Sequence, residues 1–227
     1  MRGSVLPRAS IAVAALLLFA LDLRAESRIE KTLRLDPGGR FSLDTDMGSV
    51  TITGTNSPAA KLVITSRRRE LEDLLRFDFR EEAGSVSVTA RRKHGRIFGW
   101  TRGDSVHWEV QVPAQTVLDV DTSGGRIKIA GIRSDARLET SGGGIEVRDL
   151  VGDLTGHTSG GGIALHRIRG RMRVETSGGG IEGTELDGPI DADTSGGSVR
   201  LDRVSGDIRA HNRSEGGAVF EVRLPAS

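Results

Sequence analysis

Ala136-Arg137-Leu138-Glu139-Thr140-Ser141-Gly142-Gly143-Gly144-Ile145-Glu146-Val147-Arg148-Asp149-Leu150-Val151-Gly152-Asp153 is one copy of an eighteen-residue unit that this chain repeats in tandem. The unit is marked by Thr-Ser-Gly-Gly, which starts at Thr122, Thr140, Thr158, Thr176 and Thr194 with no insertion between copies. Other columns hold the same register. Leu118, Ala136, Leu154, Met172, Ile190 and Ile208 form one, Ile127, Ile145, Ile163, Ile181 and Val199 a second, and Ile132, Leu150, Ile168, Leu186 and Val204 a third. A glycine column follows at Gly152, Gly170, Gly188 and Gly206, with Ser134 in the first copy. Self-similarity at a fixed period is the signature of a repeat architecture.

Within a copy the apolar and Thr positions alternate by two, as in Leu138 and Thr140 or Ile145 and Val147, with charged Arg137, Glu139, Glu146 and Arg148 between them. Period two means strand. The glycine pairs Gly124 and Gly125, Gly142 and Gly143, Gly160 and Gly161, Gly178 and Gly179, and Gly196 and Gly197 are expected to supply the left-handed or crowded backbone positions of a sharp corner. One copy cannot bury its own apolar face, but stacked copies can. The expected fold is therefore all-β: a single-stranded β-solenoid of eighteen-residue coils, with equivalent residues about 4.8 Å apart and six coils making a rod about 29 Å long. The repeated Thr reads as an internal hydroxyl ladder closing the turn. Eighteen is three hexapeptides, which suits a left-handed three-faced coil, yet apolar spacings of 2, 2, 5, 2 and 3 do not follow a six-residue period. Handedness is left open. The last copy carries two extra residues in Asn212-Arg213-Ser214-Glu215-Gly216-Gly217, as expected of a terminal repeat that caps an open edge.

Residues 1–25 have the grammar of a signal peptide. Arg2 and Arg8 precede an apolar run from Ile11 to Leu21, and Ala25 stands before a polar Glu26. The run falls short of the ~20 apolar residues of a comfortable membrane span. Cleavage near Ala25 and a periplasmic or cell-surface location are expected. Residues 26–113 lack the exact repeat but alternate as strands at Phe41, Leu43 and Thr45, at Leu62 and Ile64, and at Val106, Trp108, Val110 and Val112. They read as a β-rich region capping the solenoid, residues 114–224, with a small sheet. Met47-Gly48-Ser49 resembles a diverged copy of the glycine corner.

Composition removes several functions. Thirty-two basic residues against thirty-one acidic ones leave a formal charge of +1, so no global field draws the chain to a polyanion. Zero Cys excludes disulfides, thiolate nucleophiles and Cys-based metal sites, and no Tyr with two Trp leaves little for stacking on nucleic acid. The five His show no zinc-protease spacing, no Gly-x-Ser-x-Gly elbow occurs, and Ile follows the glycines where a calcium roll would continue towards its Asp. Thr-Ser-Gly-Gly-Gly lacks the Lys of a phosphate loop and leads into a strand. Neither cofactor nor metal is expected. Asp121, Glu139, His157, Glu175 and Asp193 fall in one column, read as a solvated charged ladder.

The Val112-Pro113-Ala114 turn, the run from Leu118 to Gly125 and the succeeding Thr-Ser-Gly-Gly-Gly-Ile repeats resemble the bacterial "putative adhesin" family of β-strand-repeat proteins, a family of unknown function. The resemblance covers Phe41 to Leu224. It implies an extracytoplasmic β-solenoid, brings no catalytic residues, and admits an envelope-sensing or scaffolding role. The function expected is a non-enzymatic exported envelope protein that binds, adheres or scaffolds; the alternative is a carbohydrate-active β-helix enzyme, which the lack of any insertion from Thr122 to Ala210 disfavours because no groove walls can be built. One segment stands out as an anionic-surface site: Arg91, Arg92, Lys93, Arg96 and Arg102 with Phe98 and Trp100, on a stretch without an acid. The partners expected are an envelope component, such as anionic lipid or polysaccharide, or a protein partner, and not nucleic acid.

Overall fold

The computed structural model describes residues 27–67, 70–93, 106–212 and 220–223. Among the described residues the fold is all-β, in two large mixed sheets of ten and nine strands, with a single turn of helix, α1 (Leu71–Leu74). Among the described residues no helix is long and apolar enough to cross a membrane.

Along the repeats the chain alternates between the sheets. The nine-stranded sheet takes β8 (Val117–Thr122), β10 (Ala136–Thr140), β12 (Leu154–Thr158), β14 (Met172–Thr176), β16 (Ile190–Thr194) and β18 (Ile208–Asn212). The ten-stranded sheet takes β9 (Ile127–Ile132), β11 (Ile145–Val151), β13 (Ile163–Arg169), β15 (Ile181–Asp187), β17 (Val199–Ser205) and β19 (Phe220–Arg223). Each repeat strand up to β18 pairs in parallel with its equivalent eighteen residues on, Leu138 with Gly156 and Ile145 with Ile163, so one copy supplies one strand to each sheet; β17 meets β19 twenty-one residues on, Val199 with Phe220, so the last copy carries three extra residues and not the two expected from the sequence. Two strands per copy exclude the three-faced coil that hexapeptide arithmetic suggested. The inward columns are buried until the terminal strand: Leu118, Ala136, Leu154, Met172 and Ile190 are at most 3% exposed, and Ile208 in β18 is half-buried. Parallel in-register pairing puts like on like, which turns each apolar column into one continuous core.

The N-terminal strands do not form a small sheet of their own; they extend the same two sheets, out of chain order. In the nine-stranded sheet β2 (Arg40–Thr45) lies between β8 and β6 (Ser85–Arg92), and in the ten-stranded sheet β3 (Ser49–Thr55) lies between β9 and β7 (Val106–Pro113). Phe41, Leu43 and Thr45 stand opposite Leu118, Val120 and Thr122, so β2 and β3 occupy the place of a repeat whose sequence has diverged. Antiparallel strands finish that end: β4 (Ala59–Ser66) on β7, β1 (Ser27–Arg34) on β4, and β5 (Leu75–Glu82) on β6. Trp108, the largest fully buried side chain, donates from Nε1 to the Met47 carbonyl at 3.2 Å beside the diverged corner.

Candidate functional site

The glycine corner is a stacking device. Each repeated Thr is buried and donates its hydroxyl to the second-glycine carbonyl of the preceding coil, Thr140 to Gly125 at 2.9 Å, Thr158 to Gly143 at 2.6 Å, Thr176 to Gly161 at 2.7 Å and Thr194 to Gly179 at 2.7 Å. The same oxygen accepts the N–H of its own coil's second glycine, at 3.3 Å from Gly161 and 3.2 Å from Gly179. The ladder closes the turn and ties each coil to the next. Of the two glycine columns, the second is the demanding one. A Cβ on Gly143, Gly161, Gly179 or Gly197 would stand 2.0 to 2.4 Å from the backbone of the corner below; in the first column Gly124 has open space, Gly142 nothing nearer than 3.6 Å, and Gly160, Gly178 and Gly196 meet backbone at 3.0 to 3.1 Å. Crowding, not left-handed backbone, selects these residues: in the ten expected corner positions only Gly125 has a positive φ.

The basic segment is reached by the structure only at its start. Arg91 is not a free cation: its guanidinium pairs with Asp44 and lies 3.2 Å from Asp46, while the Arg92 N–H donates to Asp46 at 2.8 Å. The Asp44 hydrogen bond, with both carboxylates close by, raises the Arg91 pKa further above its ordinary value. Arg92 and Lys93 are exposed. Arg96, Phe98, Trp100 and Arg102 lie outside the described residues.

The acidic column is also as its register dictates, with Asp44, Asp121, Glu139, His157, Glu175 and Asp193 in successive strands. Partial burial, then the neighbouring Asp44 and Glu139 charges, raise the Asp121 pKa. Arg137 pairs with Glu139, and His157 Nδ1 stands 3.8 Å from Glu175. No group of three potential metal ligands gathers among the described residues.

Sequence reasoning missed the most distinctive surface. Each of the long strands β11, β13, β15 and β17 contains one residue in the left-handed region: Asp149, Arg167, Glu185 and Arg203, at φ 54°, 54°, 59° and 53°. Gly131 holds the place in β9, at φ 73°. Each strand bulges outward there at the same place, so that Arg148 and Leu150 pair with His166 and Ile168 while Asp149 and Arg167 are passed over on both partners and the register is kept. The signal was in the columns: the spacing of three from Val147 to Leu150, where a regular strand needs two, is the extra residue that every copy places at this outward bulge. Beside this row runs an open groove of about 690 Å³, lined by the row itself and by Arg133, Val151, Arg169, Asp187 and Ser205. Ion pairs run along it from coil to coil. Arg167 holds Asp149 through two bonds of 2.5 and 3.0 Å, Arg203 meets Glu185 at 3.1 Å, and Arg169 stands 3.8 Å from Asp187. The Arg167 hydrogen bond keeps the Asp149 carboxyl below its usual range.

No protein-family model matches the chain, and no curated protein matches it. Among solved structures it is similar to a "putative cell adhesion protein" from Clostridium sporogenes, with 13% identity over 87% of this chain and 99% of that one and a TM-score of 0.42. A "putative adhesin" from Bacteroides fragilis is similar at 13% identity over 88% and 97%, TM-score 0.42. A "putative lipid binding protein" from Parabacteroides distasonis follows at 13% over 86% and 96%, TM-score 0.35. At this level of likeness, function has to be argued from the chain's own residues.

Proposed function

We propose that this chain is an exported, non-enzymatic binding module of the cell envelope, built as a two-sheet β-solenoid. The observation that carries the reading is the unbroken eighteen-residue register. From Thr122 to Ala210 every copy gives one strand to each sheet and no loop is inserted, so the surface consists of regular charged faces and a straight groove. Carbohydrate-cleaving centres need a pair of carboxylates held on either side of a bond; here the carboxylates of Asp44, Glu139, Glu146 and Asp149 are each tied to an arginine or lysine. Rigidity follows from the Thr and glycine ladder, and it suits a spacer or adhesive surface. The apolar run of residues 11–21 supports export. Arg92 and Lys93, exposed at the start of a basic stretch, support attachment to an anionic envelope surface, to which Arg91 contributes less because two aspartates already hold it.

The test is co-sedimentation of residues 26–227 with peptidoglycan sacculi, lipopolysaccharide and anionic liposomes, at low and high salt. Binding to one of these, without loss or cleavage of the bound material, is expected. If the basic stretch is the attachment point, binding falls with salt and is lost in an Arg91→Gln/Arg92→Gln/Lys93→Gln variant. Absence of binding to all three, or release of soluble fragments from sacculi or lipopolysaccharide, contradicts the reading.

A further inference from the structure

The bulged row keeps charged side chains where its backbone favours glycine. Gly131 shows the residue that fits the left-handed position without strain, yet the next four copies place Asp149, Arg167, Glu185 and Arg203 there. Two residues along each strand a second row follows: Arg133, Val151, Arg169, Asp187 and Ser205. Between the rows lies the 690 Å³ groove, within the size range of ligand-holding clefts.

We infer that this groove binds a single extended, uncharged glycan, with one sugar ring to each coil; the inference deepens the binding-module reading and rests on it. Three properties of the groove select that chemistry. First, it is periodic: the lining residues recur in each successive coil, at the strand spacing of about 4.8 Å, and a ring of an extended glycan advances by a similar step. A peptide strand, advancing ~3.3 Å per residue, would fall out of step within two coils, and it would find no open sheet edge because β11, β13, β15 and β17 are each paired on both sides. Second, its charge is nearly balanced, four arginines (Arg133, Arg167, Arg169, Arg203) against Asp149, Glu185 and Asp187, which favours neither a polyanion nor a polycation. Third, donors and acceptors alternate along the first row, Asp149, Arg167, Glu185 and Arg203. A sugar hydroxyl both donates and accepts, so a glycan lying along the groove meets carboxylates and guanidiniums in turn; an arginine has five N–H donors, and the ion pairs along the groove use only part of them. Val151, half exposed, provides an apolar surface for a ring face.

Titration calorimetry with β-1,4-linked oligomers of N-acetylglucosamine and of glucose tests this. Affinity for one of the two series is expected to rise at least tenfold from dimer to pentamer and to level off by the hexamer, since six strand levels, β3 with β9, β11, β13, β15 and β17, line the groove. Val151→Arg, an exposed position whose change leaves the fold and Tm intact, is expected to weaken pentamer binding at least tenfold, while Thr155→Arg on the nine-stranded sheet leaves it unchanged. No binding by either series at millimolar concentration, no dependence on length, or equal effects of the two variants overturns the groove assignment. If the oligomers fail while the chain still sediments with envelope material, the groove inference falls and the binding module stands; failure of both removes both.

Discussion

A methyl group separates the two glycine columns. Gly161→Ala would push a Cβ to 2.4 Å from the Gly143 backbone, which cannot swing aside as a side chain would, and a loss of about 3 kcal/mol is expected from such overpacking. Gly142→Ala, with nothing nearer than 3.6 Å, should change stability by less than about 0.5 kcal/mol. Urea denaturation of the two variants measures the difference directly. Inside the core the sign reverses: a Cβ on Gly156 meets Val174 at an ordinary 3.4 Å, so Gly156→Ala is expected to add about 0.5 kcal/mol by removing unfolded-chain entropy. Thr158→Val deletes a hydroxyl that both donates to Gly143 and accepts from Gly161, at a cost of about 2 kcal/mol, with Thr158→Ser losing less. Charge at single residues sets the pH response. The Asp121 carboxyl, its pKa raised in the fold by partial burial and by Asp44 and Glu139, opposes folding once ionised; Asp121→Asn should therefore raise the urea midpoint at pH 7 and have no effect at pH 3. Glu146 and Asp149 behave oppositely. Their pKa values are lowered, Glu146 by hydrogen bonds from Lys128 and then Arg148, and Asp149 by Arg167, so the stability they contribute is present above the ordinary carboxylate pKa near 4 and is lost as pH falls through their folded values.

At the level of the strand, the short and long strands of a copy do different work. Five-residue strands such as β12 simply alternate in and out, while the seven-residue strands carry the bulge that turns two rows outward. The left-handed residue costs of the order of 1 kcal/mol where it is not glycine, and an exposed ion pair returns about half that. Glu185→Gly is accordingly expected to raise Tm although it removes the Arg203 partner, and differential scanning calorimetry would show it; a fall in Tm would mean that the ladder itself holds the corner. Much of this architecture could be read from the chain. Alternation fixed the strands, exact recurrence fixed their register, and the Thr column fell inside as its parity required. The bulge was visible only as an odd spacing, because one sequence shows where the apolar columns slip but not which φ absorbs the slip. The order of the N-terminal strands was not visible at all. Pairing of β2 with both β6 and β8 joins residues 45 and 77 positions apart, and no local pattern encodes such a choice. The groove shared this fate, since its lining residues are surface charges that periodicity alone treats as solvated.

Seen as a whole, the molecule has one continuous core running through both sheets, from Leu35, Ile64 and Leu75 at the N-terminal end to Val204 in the last full copy. The N-terminal strands are part of that stack, so deleting residues 26–113 should strip β8 and β9 each of the neighbour on one side, expose Leu118, Val120 and Ile127, and replace a cooperative unfolding transition with aggregation or a sloping one. The ladders, the charged faces and the groove all follow from the copies stacking in eighteen-residue register. The chain has no cysteine of its own, which allows a clean measurement. Arg137 and Thr155 are exposed partners on β10 and β12, about 4.8 Å apart by strand spacing and within disulfide reach, whereas Arg137 and Arg173 are two strands apart and beyond it. Under mild oxidation, Arg137→Cys/Thr155→Cys should form an intramolecular disulfide in nearly every molecule, and Arg137→Cys/Arg173→Cys should remain reduced. Equal oxidation of the two, or preference for the second pair, would contradict the stacked register and with it the proposed binding surface.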